Sequence, residues 1–472
     1  MSRTRIVATI GPASCTPQIL KNMAAAGMGI ARLNGSHGSL DWHQKTIALL
    51  RETLPEIPIL LDIPGRKIRT GQLSNEPLFK AGDIIILTTD PNYRGEQKVV
   101  INNSQLHKDL NAGDIIFADD GTLKFTVTAI EATDISCRAE TSGQLKSRKG
   151  INVPYVQLRG KPVTDRDGEM IKFAKENGVD FVGISFVESA SHVEEIRAIV
   201  GWSWPRIVSK IENRGGLQNM EEVIRATDAI MIDRGDLAVE TSLEHVAIFQ
   251  KRILRCARMH AKPVIVATEM LHTMINNPQP TKAEVTDITN AVLDGASATM
   301  LSGETAVGAY PSIAISTMRT ISAAAESLVQ ETMQSDLASS SSVPQAMSGA
   351  INLLCRNLPI TKIIAITVSG FAARTISAET PSQPILAVSN DKMAARSFNL
   401  LAGVKGVYVD IPFSKHTTEH IVECLTELWR RHEINHDDFL LVTAVAYPRS
   451  GNRMNLIQTH AVADLIETLN WK

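Results

Sequence analysis

Ile207-Val208-Ser209-Lys210-Ile211-Glu212-Asn213 and, about one βα unit later, Ile232-Asp233-Arg234-Gly235-Asp236-Leu237 share one pattern. A short apolar run ends in charge and gives way to helix-like sequence. Near-continuous apolar strands of this kind suit a parallel sheet covered on both faces. Lys210 and Glu212 are two apart, so an extended chain points both the same way. Asp236 ends the next strand, and neighbouring strands run about 4.8 Å apart. Glu212 and Asp236 could therefore grip one hard divalent cation, or each could pair with a local base such as Lys210 or Arg234.

The same pattern recurs along the first two thirds of the chain. Apolar runs fall at residues 5–10, 30–34, 59–62, 181–185, 207–211, 229–233, 263–268 and 298–302. Eight βα units predict an α/β fold of the (β/α)8 TIM-barrel type. Most spacings fit one unit each: Asp62 is 30 residues after Arg32, Asp236 is 26 after Lys210, and Thr268 and Ser302 follow at intervals of 32 and 34. Ser185, however, lies 123 residues after Asp62. The excess, residues 70–161, reads as short strands at 83–88, 98–101, 114–117, 125–129 and 134–139 with Asn/Asp/Gly turns between them. It predicts a small β-barrel domain inserted at the face where barrels keep their active sites, and hence a lid.

The barrel is expected to span residues 1–69 and 162–335. A linker composition over 331–345, with four serines at 339–342, separates it from a C-terminal α/β domain at 345–472. There strands are expected at 362–368, 385–388, 406–409 and 439–444, and helices at 392–401 and 417–431.

Composition sets the outer limits. The chain has 472 residues, 44% hydrophobic and 21% charged, so packed cores are expected and global disorder is excluded. A net charge of −2 argues against a nucleic-acid surface or a polybasic membrane anchor. Aromatics at 4% leave no stacking platform. Five cysteines without CxxC read as reduced thiols in a cytoplasmic protein. Neither a signal peptide nor a membrane span is expected.

Arg32, Asn34 and Ser36 share one face of Ala31-Arg32-Leu33-Asn34-Gly35-Ser36-His37-Gly38 while that segment is extended. A cation site, an ammonium and a guanidinium in one mouth suggest a phosphorylated ligand. GxxxxGK[ST] and GxGxxG are absent, as are the protein-kinase signatures. The residues alone thus predict a metal-assisted enzyme acting on a small phosphorylated acid, with the reaction type open.

The chain resembles the pyruvate kinases over essentially its whole length. The resemblance rests on Thr9-Ile10-Gly11-Pro12-Ala13-Ser14, the Ala31–Gly38 segment, Ser209-Lys210-Ile211-Glu212-Asn213, Arg234-Gly235-Asp236-Leu237 and Met300-Leu301-Ser302-Gly303-Glu304-Thr305, the last preceded by residues 277–284. It implies phosphoryl transfer from phosphoenolpyruvate to ADP in glycolysis, giving pyruvate and ATP. Glu212 and Asp236 would hold Mg²⁺ or Mn²⁺. Lys210 would face the transferring phosphoryl group, with Arg32 and Arg69 opposite. Gly235, Asp236 and Thr268 would hold the substrate carboxylate, and Thr268 and Ser302 would relay a proton to the enolate carbon. Pro12, Asn34, His37 and Lys149 would lie about the nucleotide. The family is usually a homotetramer.

Departures from the family pattern carry further expectations. In Leu61-Asp62-Ile63-Pro64-Gly65-Arg66-Lys67-Ile68-Arg69-Thr70-Gly71, the oxygens of a K⁺ site remain at Asn34, Ser36, Asp62 and Ile63, but Lys67 replaces a glutamate. An ammonium there would repel K⁺, like charges about 4 Å apart costing on the order of 4 kcal/mol, so K⁺ is expected not to be required. Pro64, Ala238, Glu269 and Glu188 depart without removing a reacting group. A phosphorylated effector would bind near Ser369, Gly370, Arg374 and Arg453, although Phe371-Ala372-Ala373 lacks the usual hydroxyls. The rivals are a Mg²⁺-dependent barrel lyase and a catalytically silent homologue.

Overall fold

The computed structural model describes residues 2–156, 158–201, 204–332, 342–414, 417–445 and 454–471. Eight strands, Arg5–Thr9, Ile30–Asn34, Ile59–Ile63, Phe181–Ile184, Arg206–Lys210, Ala229–Asp233, Val264–Ala267 and Ala298–Leu301, form a closed parallel barrel. Arg5 pairs with Ala298 to close the ring, and Phe181 pairs with Leu60 across the interruption. Several covering helices begin where capping chemistry dictates. Thr16, Ser39, Thr164, Ser189 and Thr281 each accept a hydrogen bond from a first-turn N–H. Thr164 with Asp167 and Thr281 with Glu284 form reciprocal capping boxes.

The layering of the interior positions the site. Alternate residues of a strand point inward, and Val7, Ile30, Leu60, Val208 and Met231 belong to one buried apolar cluster. Leu400, from the C-terminal part of the chain, plugs this cluster from below. Two residues farther along the same strands stand Thr9, Arg32, Asp62, Lys210 and Asp233, all buried. Charge is thus set on a dry floor at the C-terminal ends of the strands.

The insert forms a seven-stranded sheet that runs in order through Ile68–Arg69, Gly150–Asn152, Ile115–Ala118, Leu123–Glu131, Asp134–Ala139, Ile84–Thr88 and Val99–Val100. A bridge between Thr70 and Ile101 brings its two end strands together, curling it around Phe125, Ile116 and Ile135. The chain enters this sheet immediately after Lys67. Asn152 Nδ2 donates to Glu240 Oε1 (2.8 Å), and both groups are buried. At Gly121 a Cβ would stand 3.1 Å from Val239 Cγ2, and φ is +84°. Glycine there lets a turn of the insert lie against the segment that follows the sixth barrel strand.

The C-terminal sheet runs in order through Val404–Tyr408, Ile385–Ser389, Lys362–Ile366, Phe439–Ala444 and Leu456–Ala461. Only the last pairing is antiparallel. That fifth strand has no buried residue and carries Gln458, Thr459 and His460 in its middle, so it lacks the continuous apolar run that marks the three central strands. A helix over Val343–Asn357 begins inside the expected linker. Residues 333–341 lie outside the described residues. Asp180, fully buried, ties the two units together: it accepts from Arg51 Nη2 (2.5 Å), Ile59 N–H (2.8 Å) and Arg396 Nε (2.9 Å). No helix among the described residues is long and apolar enough to cross a membrane.

Candidate active site

Lys210 is the centre of the barrel mouth. Its Nζ donates to Ser185 Oγ (3.1 Å) and lies 3.1 Å from Glu212 Oε2, 3.1 Å from Asp233 Oδ2 and 3.7 Å from Asp62 Oδ2. Burial alone favours the neutral amine, but Asp62, Glu212, Asp233 and Asp236 outweigh it and raise the pKa well above that of an ordinary lysine. The side chain is therefore a buried, fixed, permanent cation.

Glu212 is fully buried, and its Oε1 accepts from Phe186 N–H (2.8 Å). Oε2 makes no hydrogen bond among the described residues, although the Lys210 ammonium is close. Burial, opposed by Lys210 and reinforced by Asp233 and Asp236, pushes the carboxyl up to about 8. Asp233 is buried too, but there Lys210, Lys67 and Arg32 overcome desolvation and hold the carboxyl below its usual range. One oxygen from each of Glu212, Asp233 and Asp236 lies within 4.8 Å of the others. An all-oxygen set with an unsatisfied buried carboxylate atom fits a hard cation such as Mg²⁺ or Mn²⁺.

Arg32 is held by Asp62 through Nη2 (2.7 Å) and Nε (3.2 Å), and its Nη1 donates to Thr9 Oγ1 (2.9 Å). Lys67 corrects an expectation. The sequence sets its ammonium against the Asn34, Ser36, Asp62 and Ile63 oxygens, whereas the structure sets it on both oxygens of Asp236, at 2.6 and 2.7 Å. A bidentate carboxylate is the stronger partner, and the other oxygens are partly engaged. Asn34 Oδ1 accepts from Ser36 N–H (3.1 Å), and the Ile63 carbonyl accepts from Ser185 Oγ (2.9 Å). Asp62 Oδ1 is buried without a hydrogen bond among the described residues.

The other expected residues lie around this centre. Thr268 and Glu269 both adopt left-handed backbone, with φ +67° and +55°, a strained conformation for a β-branched residue. Thr268 Oγ1 accepts from Gly235 N–H (3.0 Å) and donates to the Ala267 carbonyl (2.6 Å). The Ser302 N–H donates to Glu304 Oε2 (2.7 Å). Pro12 and His37 are exposed. Although part of the ring meets solvent, partial desolvation by the surrounding residues and the positive charges of Arg69, Arg32 and Arg148 lower the His37 pKa, so cations of barrel and insert converge there. Arg69 Nη1 donates to the Arg148 carbonyl (3.3 Å), and Lys149 pairs with Asp119 (2.7 Å) within the insert.

Matches to known proteins cover this architecture. A family profile described as "Pyruvate kinase, barrel domain" matches residues 1–315, and "Pyruvate kinase, alpha/beta domain" matches 345–460. The chain belongs to the pyruvate kinase family. It is 36% identical to "Pyruvate kinase 2" of Synechocystis sp. over 98% of this chain and 80% of that protein. It is 35% identical to a pyruvate kinase of Geobacillus stearothermophilus over 98% of this chain and 81% of that protein. The Clostridium perfringens pyruvate kinase is 36% identical over 95% and 97% of the two chains.

Within this pyruvate kinase fold, Asp233 and Ser185 are the site residues that the sequence motifs do not single out. Strand alternation carries the missing signal for Asp233, because an inward Met231 requires an inward Asp233. Of the expected effector residues, Ser369, Gly370 and Arg374 fall within one turn at the start of the helix Phe371–Ala378, where the Arg374 N–H donates to the Gly370 carbonyl (2.9 Å). Ser369 accepts through its carbonyl from Arg206 Nη2 (3.1 Å), and Gly370, at φ +76°, donates its N–H to Thr367 Oγ1 (3.1 Å). Arg374 also lines a cavity of about 80 Å³ at the seam with the barrel, beside Lys262 and Arg258. Arg453 lies outside the described residues.

Proposed function

We propose that this enzyme transfers the phosphoryl group of phosphoenolpyruvate to ADP, giving pyruvate and ATP. The observation that carries the reading is the buried Lys210 ammonium, caged beside Glu212 at the mouth of the barrel. A charge held in place before the substrate arrives needs no reorganisation when negative charge moves across the phosphoryl oxygens. Arg32, oriented by Asp62, adds a second fixed cation. The Gly235 N–H exchanges its Thr268 partner for the substrate carboxylate, and Thr268 and Ser302 pass a proton through water to the enolate carbon. A divalent cation held by Glu212 and Asp236 supplies neutralisation of the phosphoryl oxygens and of the enolate.

The same reading takes residues 70–161 as a lid that brings Lys149 to the nucleotide, opposite Pro12, Asn34 and His37, with Arg69 at its stem. It takes K⁺ as not required, the Lys67 ammonium adding positive charge to the mouth from its seat on Asp236, and the assembly as a homotetramer. A phosphorylated effector would bind about Ser369, Gly370, Arg374 and Arg453.

The test mixes the full-length protein with Mg²⁺, ADP and phosphoenolpyruvate and follows pyruvate and ATP together. Equimolar appearance of both is expected. Pyruvate without ATP, or neither product, would overturn the reading in favour of leakage to water or a silent homologue.

A further inference from the structure

We propose that Asp233 is a third carboxylate donor to the divalent cation, beside Glu212 and Asp236. The inference rests on the cation site proposed above and extends it by one residue.

The charge count at the mouth points there first. Asp62, Glu212, Asp233 and Asp236 face Arg32, Lys67 and Lys210. Asp62 is taken by Arg32 at 2.7 Å and Asp236 by Lys67 at 2.6 Å. Lys210 is left between Glu212 and Asp233, 3.1 Å from each, so one ammonium serves two buried carboxylates. The surplus negative charge shows in Glu212 Oε2, which is wholly buried and makes no hydrogen bond among the described residues. That oxygen shares the Lys210 ammonium, 3.1 Å away, with Asp233, and two buried carboxylates on one ammonium are costly unless a further cation completes them.

The donor geometry agrees. Asp233 ends the sixth barrel strand with its carboxyl inward, and its oxygen falls in the same 4.8 Å cluster as those of Glu212 and Asp236. Mg²⁺ and Mn²⁺ take hard oxygen donors, and a third carboxylate replaces one water in their shell. The rival role for Asp233 is to hold Lys210 alone. Lys210 already has the Ser185 hydroxyl and Glu212 for that purpose.

The experiment measures Mn²⁺ binding to the full-length protein without phosphoenolpyruvate or ADP. Free Mn²⁺ is read by its electron paramagnetic resonance, and inner-sphere water by proton relaxation. Asp233→Ala removes the donor, Asp233→Asn keeps a hydrogen-bond acceptor for Lys210, and Glu212→Gln serves as the reference for a lost ligand. Asp233→Ala is expected to bind Mn²⁺ at least tenfold more weakly and with one additional exchanging water; Asp233→Asn falls between it and wild type. Should the alanine variant fail to fold by circular dichroism, the asparagine variant carries the comparison. Unchanged affinity, or weaker binding with unchanged hydration, overturns direct ligation and leaves Asp233 to Lys210. Failure of the wild type to bind Mn²⁺ overturns the two-carboxylate site itself, and the third donor with it.

Discussion

Glu240→Gln offers a quantitative test of how the insert is joined to the barrel. Glu240 is 8% exposed, at the end of the short helix Arg234–Glu240, and accepts from Asn152 Nδ2 of the insert at 2.8 Å. Burial raises its carboxyl to about 7 from an ordinary 4.5, the Asn152 hydrogen bond opposing and Asp236 reinforcing. Below 4.5 both folded and unfolded chains hold the proton, so the site costs nothing. Between 4.5 and 7 the unfolded chain gives up its proton first and the folded chain binds more protons, so stability falls as pH rises. At about 1.4 kcal/mol per pH unit, the full loss above pH 7 is about 3 kcal/mol. Glutamine keeps the acceptor for Asn152 and never ionises, so it escapes that loss.

Calorimetry of wild type and Glu240→Gln at pH 5 and pH 8 reads the difference. A chelator keeps divalent cations away from the neighbouring Asp236. With an unfolding entropy of about 2 cal/mol/K per residue, about 3 kcal/mol corresponds to a midpoint rise of roughly 3 °C at pH 8. At pH 5 the rise should be under a third of that, and taking variant minus wild type cancels the other titrating groups. Equal shifts at the two pH values, or a loss at pH 8, would refute the assignment of a buried, reluctantly charged Glu240.

Three further outcomes follow from the site and the seam. Lys210→Met should lower phosphoryl transfer on the order of 10³-fold while Mn²⁺ binding persists, because the carboxylates lose a competitor rather than a partner; transfer within tenfold of wild type in a steady-state assay would remove Lys210 from the chemistry. Turnover with only a bulky organic cation present should change little when K⁺ is added, and a tenfold rise would show that Lys67 does not replace it. Asp180→Asn weakens the contacts to Arg51 and Arg396 at once and should destabilise the junction of barrel and C-terminal sheet by about 3–5 kcal/mol. Limited proteolysis and thermal unfolding would register this as early release of the C-terminal part, and wild-type behaviour would deny the junction its ion-pair core.

The barrel was legible because its strands are local objects. Runs such as Ala229–Ile232 are buried on both faces and wholly apolar until the strand leaves the floor, and the change to charge at Asp233 marks the mouth. Glu212, Asp236, Lys210 and Arg32 were legible for the same reason, since each follows directly on such a run. The antiparallel strand Leu456–Ala461 was not, because an edge strand with half-exposed faces carries no apolar signature. Short strands such as Ile68–Arg69 are too brief for any periodicity and exist only through their partners.

Side-chain pairing lay beyond the sequence altogether. Lys67 and Asp236 are 169 positions apart, and nothing local decides between Asp236 and the Asn34–Asp62 oxygens as the ammonium's partner. Asp180 accepts from Arg51 on Oδ2 and from Arg396 on Oδ1, at separations of 129 and 216 residues. The sequence by itself determined which strands form, in what order, and which ends carry charge, because backbone pairing and burial depend on composition over a few residues. Only the tertiary structure decided which carboxylate each cation holds and that Asp233 joins Glu212 and Asp236, because Coulomb energy depends on distance in space and closing the barrel sets those distances.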